Sequence, residues 1–438
     1  NTLNQDIHTV LNDNSVQLGT FHSDINSFFP SYTAGADYIK KYQKNSEKEF
    51  SIKTNFASAI SESNTASVLS GGNISRYLLN NSETNNKEYT IQSDYILPLP
   101  KGRKLETGVK GIWRNSGAVF NSRFKYQAPD NYVEDPNNSD NFNYQQNVYA
   151  AYLTYYYKLG KLNLRTGIRM EHTDVDGSFI GTNTRVQQQY THLLPNIQIT
   201  RRFNNSFTLN FAYSQRIQRP YISNLNPFIN NADTINVQFG NPDLQPQLTH
   251  YFGFLSRINK GKIFGALNLT FSYSDNVIAQ YSQFDKLKGI TATTTLNIGR
   301  EFVASINGNI SARLSDKWTA SFNGNIRMNQ LSNNQQSSES TRSIGGYASL
   351  NSNLVVSKRV NVGLFANFNR PPATIQGRGN AVVFYGFNGN MKFLANRLTI
   401  GLSAITPFQQ FITNRVYVMN DLFKTENSTD NPSRAVTL

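Results

Sequence analysis

Residues 317–328, KWTASFNGNIRM, decide the fold class. Apolar or small side chains occupy every second position, and polar side chains occupy the positions between them. Strict alternation over about ten residues is the period of a β-strand with one apolar and one polar face. The apolar series is Trp318, Ala320, Phe322, Gly324, Ile326 and Met328, and the polar series is Thr319, Ser321, Asn323, Asn325 and Arg327.

The same alternation recurs along the chain, at 161–171, 206–214 and 263–273. No stretch approaches the about 20 consecutive apolar residues of a transmembrane helix, which excludes a helical membrane protein. Aromatic residues make up 12% of the chain and are spread along it, so disorder is not expected. The 438 residues contain no Pro- or Ser-rich linker, and we expect one domain over residues 1–438.

The predicted strands are joined by connections of two very different lengths. Because short and long connections alternate, one end of the sheet carries tight turns and the other carries large loops. An outer-membrane β-barrel has this asymmetry, with short periplasmic turns and long extracellular loops. Short turns are predicted at 160–161, 204–205, 259–261, 315–316, 357–358 and 395–396, and long connections at about 60–86, 117–141, 174–189, 217–248, 331–342, 370–380 and 407–433.

The polar alternates include charged side chains, whereas the interior of a soluble barrel is its apolar side. We expect these side chains to line a water-filled lumen, with the apolar alternates and their rings facing lipid. The alternative is a soluble antiparallel sheet with one wet face, but sheets with so many long strands are uncommon. The predicted lumen-lining residues are Lys110, Arg114, Arg165, Arg169, Glu171 and Arg327.

The fold class predicted from these patterns is all-β, a large antiparallel transmembrane β-barrel of about 17–18 strands. The strands begin near 31–42, and 1–11 and 15–22 add one or two more. The last strand opens at Ser433-Arg434 and stops at Leu438. Bacterial barrels have even strand numbers and end on a complete strand, so we expect a chain truncated at both ends.

The most distinctive stretch is 211–250, which contains QRIQRP, NLNPF and FGNPDLQP. It resembles the outer-membrane β-barrel family related to TonB-dependent receptors of Gram-negative bacteria. DYILPL at 94–99 with KLETG at 104–108, and TPF at 406–408 with SRAVTL at 433–438, are shorter matches. The motif residues are Arg216, Arg219, Pro220, Asn226, Pro227, Phe228, Gly240, Asn241, Pro242, Leu244 and Pro246.

The resemblance implies a full-length barrel of about 22 strands around an N-terminal plug. It also implies uptake powered by TonB through a TonB-box peptide. Neither a plug nor a TonB box is visible in this sequence, and we expect both to be missing from it together with the end of the last strand. Some relatives of such receptors are structural parts of envelope complexes, so a non-transporting barrel subunit stays open as an alternative.

Two interpretations of the 211–250 motif remain. Its prolines cannot donate hydrogen bonds to a ladder, so the segment leaves the sheet, and Gly240-Asn241-Pro242 is a turn signal. We favour a motif that braces an extracellular loop over one that contacts a ligand directly, because Pro and Gly have evident backbone roles there.

Other constellations give little sign of chemistry. Absence of Cys removes thiolate catalysis and Cys-based zinc sites. The sequence has no nucleophile-elbow or phosphate-loop motif, so no catalytic residue, cofactor or metal is predicted. A barrel enzyme with a Ser, a His and an acid at one rim is the weakest hypothesis. Two loops could bind Ca²⁺ but are better interpreted as solvated: Asp130, Glu134, Asp135 and Asp140 in one, and His172, Asp174 and Asp176 in the other.

The formal charge is +14, from 42 Lys and Arg against 28 Asp and Glu. These basic residues are scattered and no nucleic-acid motif is present, so a nucleic-acid partner is excluded. We expect outer-membrane lipid and lipopolysaccharide as partners, with basic residues at loop ends, including Arg216, Arg219 and Arg370, contacting the latter. Many lie at the short turns, where strands leave the bilayer: Lys101, Arg103, Lys104, Lys161, Lys260, Lys262, Lys317, Lys358, Arg359 and Arg397.

The functional prediction is an integral, non-enzymatic barrel of the bacterial outer membrane. Its first form is a TonB-dependent-receptor-like transporter of an iron chelate, oligosaccharide or peptide, which would engage TonB through the missing N-terminal segment. Its second form is a structural barrel that partners a surface lipoprotein or other envelope subunits.

Overall fold

The computed structural model describes residues 2–10, 16–43, 45–71, 74–126, 131–228, 236–285, 290–333, 340–374, 377–419 and 424–437. Within these ranges nearly every residue belongs to a β-strand, and no helix has the length and apolarity to cross a membrane. The helical elements are the short α-helix α1 (Ile222–Leu225) and the 3-10 turns Pro100–Gly102, Pro136–Asn138 and Leu394–Asn396.

The strands of the described residues vary widely in length, because wall strands and loop strands occur together. They are β1 (Thr2–Val10), β2 (Val16–Phe28), β3 (Ser31–Tyr42), β4 (Asn45–Gly71), β5 (Ile74–Leu99), β6 (Arg103–Lys125), β7 (Val133–Glu134), β8 (Asp140–Leu159), β9 (Leu162–Phe179), β10 (Thr184–Asn204), β11 (Phe207–Gln218), β12 (Asn236–Gln238), β13 (Gln247–Lys260), β14 (Ile263–Asp275), β15 (Ile278–Asp285), β16 (Ile290–Asn297), β17 (Gly299–Arg313), β18 (Trp318–Asn333), β19 (Ser340–Val355), β20 (Val360–Arg370), β21 (Gly377–Gly379), β22 (Val382–Phe393), β23 (Leu398–Ile405), β24 (Phe411–Met419), β25 (Lys424–Pro432) and β26 (Ala435–Thr437).

One antiparallel sheet contains 20 of these strands. Strands β2 and β3 lie end to end along β4, and β7 and β8 lie end to end along β6, so the sheet is 18 strands wide. Pro30 separates β2 from β3, because it has no N–H for the ladder, and its carbonyl still accepts a hydrogen bond from the Ile60 N–H at 3.0 Å. The predicted width of 17–18 strands is confirmed.

The short turns are confirmed, but some predicted loops are wrong. Strands β4 and β5 stay paired from Glu49↔Ile96 to Gly71↔Ile74, so most of 60–86 is strand. Strands β9 and β10 stay paired up to Phe179↔Thr184, within the loop predicted at 174–189. The outer face of these extensions is no longer continuously apolar, so the ladder continues where the alternation of the membrane-spanning part has ended.

Further structure lies in the long connections. Strand β12 pairs in parallel with β16, and β16 pairs with β15, in a small sheet. Its β15–β16 hairpin occupies 278–297, where no long connection was predicted. A second small sheet joins β21, β24 and β25, which places a hairpin inside the loop predicted at 407–433.

The two faces of the main sheet differ as the alternation predicts. Large apolar side chains on one face are exposed, for example Phe322 at 43% and Ile326 at 62%. The opposite face carries the polar alternates. A compact apolar cluster of Tyr144, Val175, Phe179, Val186, Leu225 and Leu244 is buried on this polar face, near the large-loop end.

Candidate functional site

A row of side chains crosses β5, β6, β8 and β9 on the polar face. Asp94, Gly108, Tyr152 and Arg169 are register partners in that order. The Tyr152 hydroxyl donates a hydrogen bond to Asp94 Oδ1, passing over Gly108. A Cβ on Gly108 would lie 2.5 Å from the Tyr152 hydroxyl oxygen. Lys53 Nζ lies 3.6 Å from Asp94 Oδ2, which extends the row to β4.

Next to this row, Glu171 joins the wall to the motif loop. Its Oε2 accepts a hydrogen bond from the Arg219 guanidinium at 2.6 Å, and its Oε1 accepts one from Arg169 Nε. Arg219 Nε also donates to Thr173 Oγ1 at 3.1 Å. Glu171 and Thr173 are only 9% and 0% exposed, so the guanidinium groups of Arg169 and Arg219 donate to buried acceptors.

A second network lies closer to the large-loop end. Arg114 donates to Glu88 Oε2 at 2.6 Å and to Gln146 Oε1 at 2.7 Å. Gln146 Nε2 in turn donates to the Tyr144 hydroxyl at 2.9 Å. Tyr144 belongs to the buried apolar cluster near the large-loop end, and its burial raises the pKa of the phenol to about 12.

The remaining predicted lumen-lining residues lie on the same face. The Arg165 guanidinium sits 5.3 Å from the centre of the Tyr156 ring. Arg327 donates to Asn329 Oδ1 at 2.7 Å and lies 3.7 Å from Glu301. Lys110 is the register partner of Gln92 and Ala150. The six residues are therefore spread around the sheet and do not converge on one point.

The motif residues build a compact loop between β11 and β13. The Gly240 and Asn241 N–H groups donate to the carbonyls of Asn226 and Asn224, at 2.7 and 2.6 Å. A Cβ on Gly240 would lie 2.6 Å from both carbonyl oxygens, so only glycine permits this close approach. Pro220, Pro246 and Leu244 are buried.

Other contacts fasten this loop to the wall. Leu225 and Leu244 enter the apolar cluster. Gln188 Nε2 on β10 donates to the carbonyls of Pro242 and Leu244, at 3.3 and 2.9 Å. The Phe228 ring packs edge-on against Phe120 of β6, with centroids 5.5 Å apart.

The rest of the motif has local roles. The side-chain oxygens of Asn226 and Asn241 accept hydrogen bonds from the N–H groups of Phe228 and Asp243, each at 3.0 Å. Pro227 lies between Asn226 and Phe228 in this turn. The Arg216 guanidinium lies 5.0 Å from the centre of the Tyr251 ring.

Two carboxylates of the acidic loop, Asp135 and Asp140, have protein partners. Asp135 Oδ2 accepts hydrogen bonds from Arg76 at 3.2 Å and from Asn138 Nδ2 at 2.6 Å. Asp140 Oδ1 accepts from the Gly181 N–H at 2.8 Å. Glu134 lies on β7, and Asp130 is outside the described residues. Among the residues the structure describes, no three His, Asp or Glu are grouped to hold a metal ion.

The second acidic stretch lies on the other face of β9. His172 Nε2 is 3.2 Å from Asp174 Oδ1, and His172 Nδ1 is 2.8 Å from Thr191 Oγ1. Asp176 instead pairs with Arg185 at 3.0 Å, and this guanidinium lowers the pKa of the Asp176 carboxyl. Asp176 thus stays apart from the pair formed by His172 and Asp174.

Sequence reasoning did not identify Asp94, Gly108 and Tyr152 as one unit. Their signal was nevertheless in the sequence, because DYILPL begins at Asp94 and KLETG ends at Gly108. The third residue, Tyr152, cannot be found from these motifs, because it lies 44 residues beyond Gly108 and meets it only through the strand register.

A wide antiparallel sheet with an exposed apolar face, a charged opposite face, short turns at one end and long connections at the other defines an integral outer-membrane β-barrel. The chain belongs to the outer membrane protein beta-barrel family, whose sequence profile matches residues 61–438. The short turns are therefore periplasmic and the long connections extracellular.

Solved structures with the same fold include transporters and an uptake receptor. The ferric citrate transporter FecA, in its unliganded form, has a TM-score of 0.63 and 12% identity over 99% of this chain and 69% of that chain. The ferric yersiniabactin uptake receptor FyuA from Yersinia pestis has a TM-score of 0.54 and 12% identity, over 99% and 73%. The FrpB iron transporter from Neisseria meningitidis has a TM-score of 0.53 and 10% identity, over 99% and 80%. No curated protein matches the sequence.

Proposed function

We propose that this barrel is the wall of a TonB-dependent-receptor-like uptake protein. A ligand from outside the cell would bind between the extracellular connections and the lumen wall. The ligand would be an iron chelate, an oligosaccharide or a peptide, and TonB would supply the energy through a segment outside this chain. The neighbours in fold are named as transporters of ferric citrate and iron and as a ferric yersiniabactin receptor, which favours the iron chelate.

The observation that carries the proposal is the bond between Arg219 and Glu171. It ties the motif loop to the charged face of the wall, so loop and wall form one continuous polar surface at the extracellular mouth. Lys110, Arg114, Arg165, Arg169 and Arg327 extend this surface along the lumen. Lys and Arg side chains on the lumen wall would attract anionic ligands such as ferric chelates. In this proposal the motif loop acts mainly as a brace, and the wall makes the ligand contacts.

The test is uptake by cells that produce the complete gene product. Three probes represent the ligand classes: radioactive ferric citrate, a fluorescent maltooligosaccharide and a fluorescent peptide. We expect one probe to accumulate in energised cells, and accumulation to fall at least about tenfold when Arg114 and Arg169 are both changed to Gln. Arg185→Gln, on the outer face, is the matched control and should leave uptake unchanged.

The structural-subunit alternative predicts a different outcome from the same cells. If none of the three probes accumulates, and the barrel instead copurifies with a lipoprotein in a fixed ratio, the uptake proposal is wrong. A stoichiometric partner found together with uptake of one probe supports a transporter that works in a complex.

A further inference from the structure

The net charge of the chain is concentrated at one end of the barrel. The eight short connections with their flanking residues carry 20 of the 42 basic residues but only 4 of the 28 acidic residues. They therefore carry a charge of +16, whereas the rest of the chain carries −2. The eight segments are 40–49, 101–106, 158–161, 201–206, 257–262, 313–317, 356–359 and 392–397.

These segments lie along one edge of the wall, because each joins two paired wall strands at the same end. We call this edge the periplasmic rim. Its cations are mostly exposed, as at Lys161, Arg202 and Lys358. Ion pairs such as Lys262 with Asp316, at 3.8 Å, neutralise few of them, since four carboxylates cannot balance 20 cations.

The rim also exposes apolar side chains on its outer surface. Leu159 and Leu394 are 63% and 72% exposed, and Phe203, Leu314 and Val356 are exposed as well. Aromatic and aliphatic groups beside Lys and Arg are typical of a membrane interface, where the long basic side chains reach the headgroups. A docking surface for a soluble acidic protein has no need of this apolar collar, so the combination favours lipid.

We propose that the periplasmic rim binds anionic phospholipid headgroups in the inner leaflet of the outer membrane. The Lys and Arg side chains of the rim lie at the level of the lipid phosphates, and the exposed apolar side chains beside them contact the acyl chains. Each basic residue close to an anionic surface favours it by about 1 kcal/mol, or roughly fivefold in affinity. The barrel thereby selects its own annular lipid and fixes its depth in the bilayer.

Trp318 is a natural reporter for this surface. It directly follows Lys317 at the rim, is 43% exposed and donates from Nε1 to Ser352 Oγ at 2.9 Å. The chain has 2 Trp, and Trp113→Phe leaves Trp318 alone. This variant is reconstituted in phosphatidylcholine vesicles that contain increasing fractions of brominated phosphatidylglycerol or of brominated phosphatidylcholine. Both lipids carry bromine high in the acyl chain. The measurement is the quenching of Trp318 fluorescence by each lipid.

The quenching curves give the relative binding constant of each lipid at the rim. At 0.1 M salt we expect this constant to be about fivefold larger for brominated phosphatidylglycerol than for brominated phosphatidylcholine. The preference should shrink at 1 M salt, because the headgroup attraction is screened. The preference for the anionic lipid should disappear in a rim variant in which four residues are changed to Gln together: Arg313, Lys317, Lys358 and Arg359. The matched control changes Lys87, Arg123, Lys125 and Arg342 to Gln and should retain it.

Equal quenching by the two lipids overturns the proposal and points to an acidic periplasmic protein as the occupant. A preference that is unchanged at 1 M salt, or that survives in the rim variant, also overturns it. The salt comparison uses the natural rim, so a rim variant that fails to fold leaves the proposal testable.

Discussion

At the scale of single residues, a glycine in the wall leaves room for a large side chain from a neighbouring strand. Tyr152 reaches from β8 across β6 to Asp94 on β5, and Gly108 is the residue it crosses. Any side chain at Gly108 would meet the Tyr152 hydroxyl at 2.5 Å and the Ser93 carbonyl oxygen at 2.7 Å. Glycine therefore leaves room for this rotamer of Tyr152, whose hydroxyl then bonds the Asp94 carboxylate.

Substitution of Gly108 tests this crossing. We expect Gly108→Ala to lower the free energy of unfolding by about 1–3 kcal/mol, because the new methyl group overpacks the crossing. The measurement is urea unfolding of the barrel in lipid vesicles. Gly308→Ala is the control, since a Cβ there meets nothing within 4 Å, and it should be neutral or slightly stabilising. Equal losses in the two variants would show that Gly108 has no special packing role.

Charge substitutions on adjacent positions test the assignment of faces. Leu209→Arg and Phe322→Arg place a cation in the hydrocarbon, which should cost about 2–4 kcal/mol near the midplane. Asn210→Arg and Asn323→Arg place the same group on the polar face and should be tolerated far better. Refolding into lipid vesicles gives the free energies. Equal destabilisation within both pairs would contradict the face assignment.

At the scale of elements, the motif loop is a folded unit held by a few defined contacts. Arg219 binds Glu171 and Thr173 at its start, and Gln188 binds the carbonyls of Pro242 and Leu244 near its end. Leu225 and Leu244 fill the apolar cluster between these polar contacts. The loop is thus anchored at both ends and through its centre.

Breaking the first anchor should loosen the loop without unfolding the wall. We expect Arg219→Gln to raise amide hydrogen exchange in 219–228 and 236–246 by at least about tenfold, because Glu171 loses one of its two guanidinium partners and remains buried. Exchange in β9 and β10 should change little. Arg185→Gln removes an exposed pair with Asp176 and should leave the loop unchanged. Unchanged exchange in the Arg219 variant would mean that the apolar cluster alone holds the loop.

The same elements show how far sequence reasoning reaches. The alternation in 317–328 predicted both faces of β18, because one face needs lipid and the other needs water. Residues 60–86 were mistaken for a loop, because beyond the bilayer neither face of β4 or β5 needs to be apolar. The bond between Arg219 and Glu171 was not predictable, since it depends on how a loop folds back over a wall 48 residues away.

At the scale of the whole molecule, one sheet 18 strands wide separates three environments. Exposed apolar side chains such as Ile326 lie on the face for lipid, charged side chains such as Arg169 lie on the opposite face, and the net positive charge lies at the periplasmic rim. This distribution follows from the physics of the bilayer, because every strand must satisfy its backbone by pairing while its two faces meet different solvents.

The most direct test of this account is the accessibility of spin labels along β18. The chain has no Cys, so single Cys substitutions from 318 to 328 give clean labelling. In lipid vesicles we expect labels at even positions to be relaxed by oxygen, which concentrates in lipid, and labels at odd positions to be relaxed by a water-soluble nickel chelate. The opposite phase, or no two-residue period at all, would contradict the outward orientation of the apolar face.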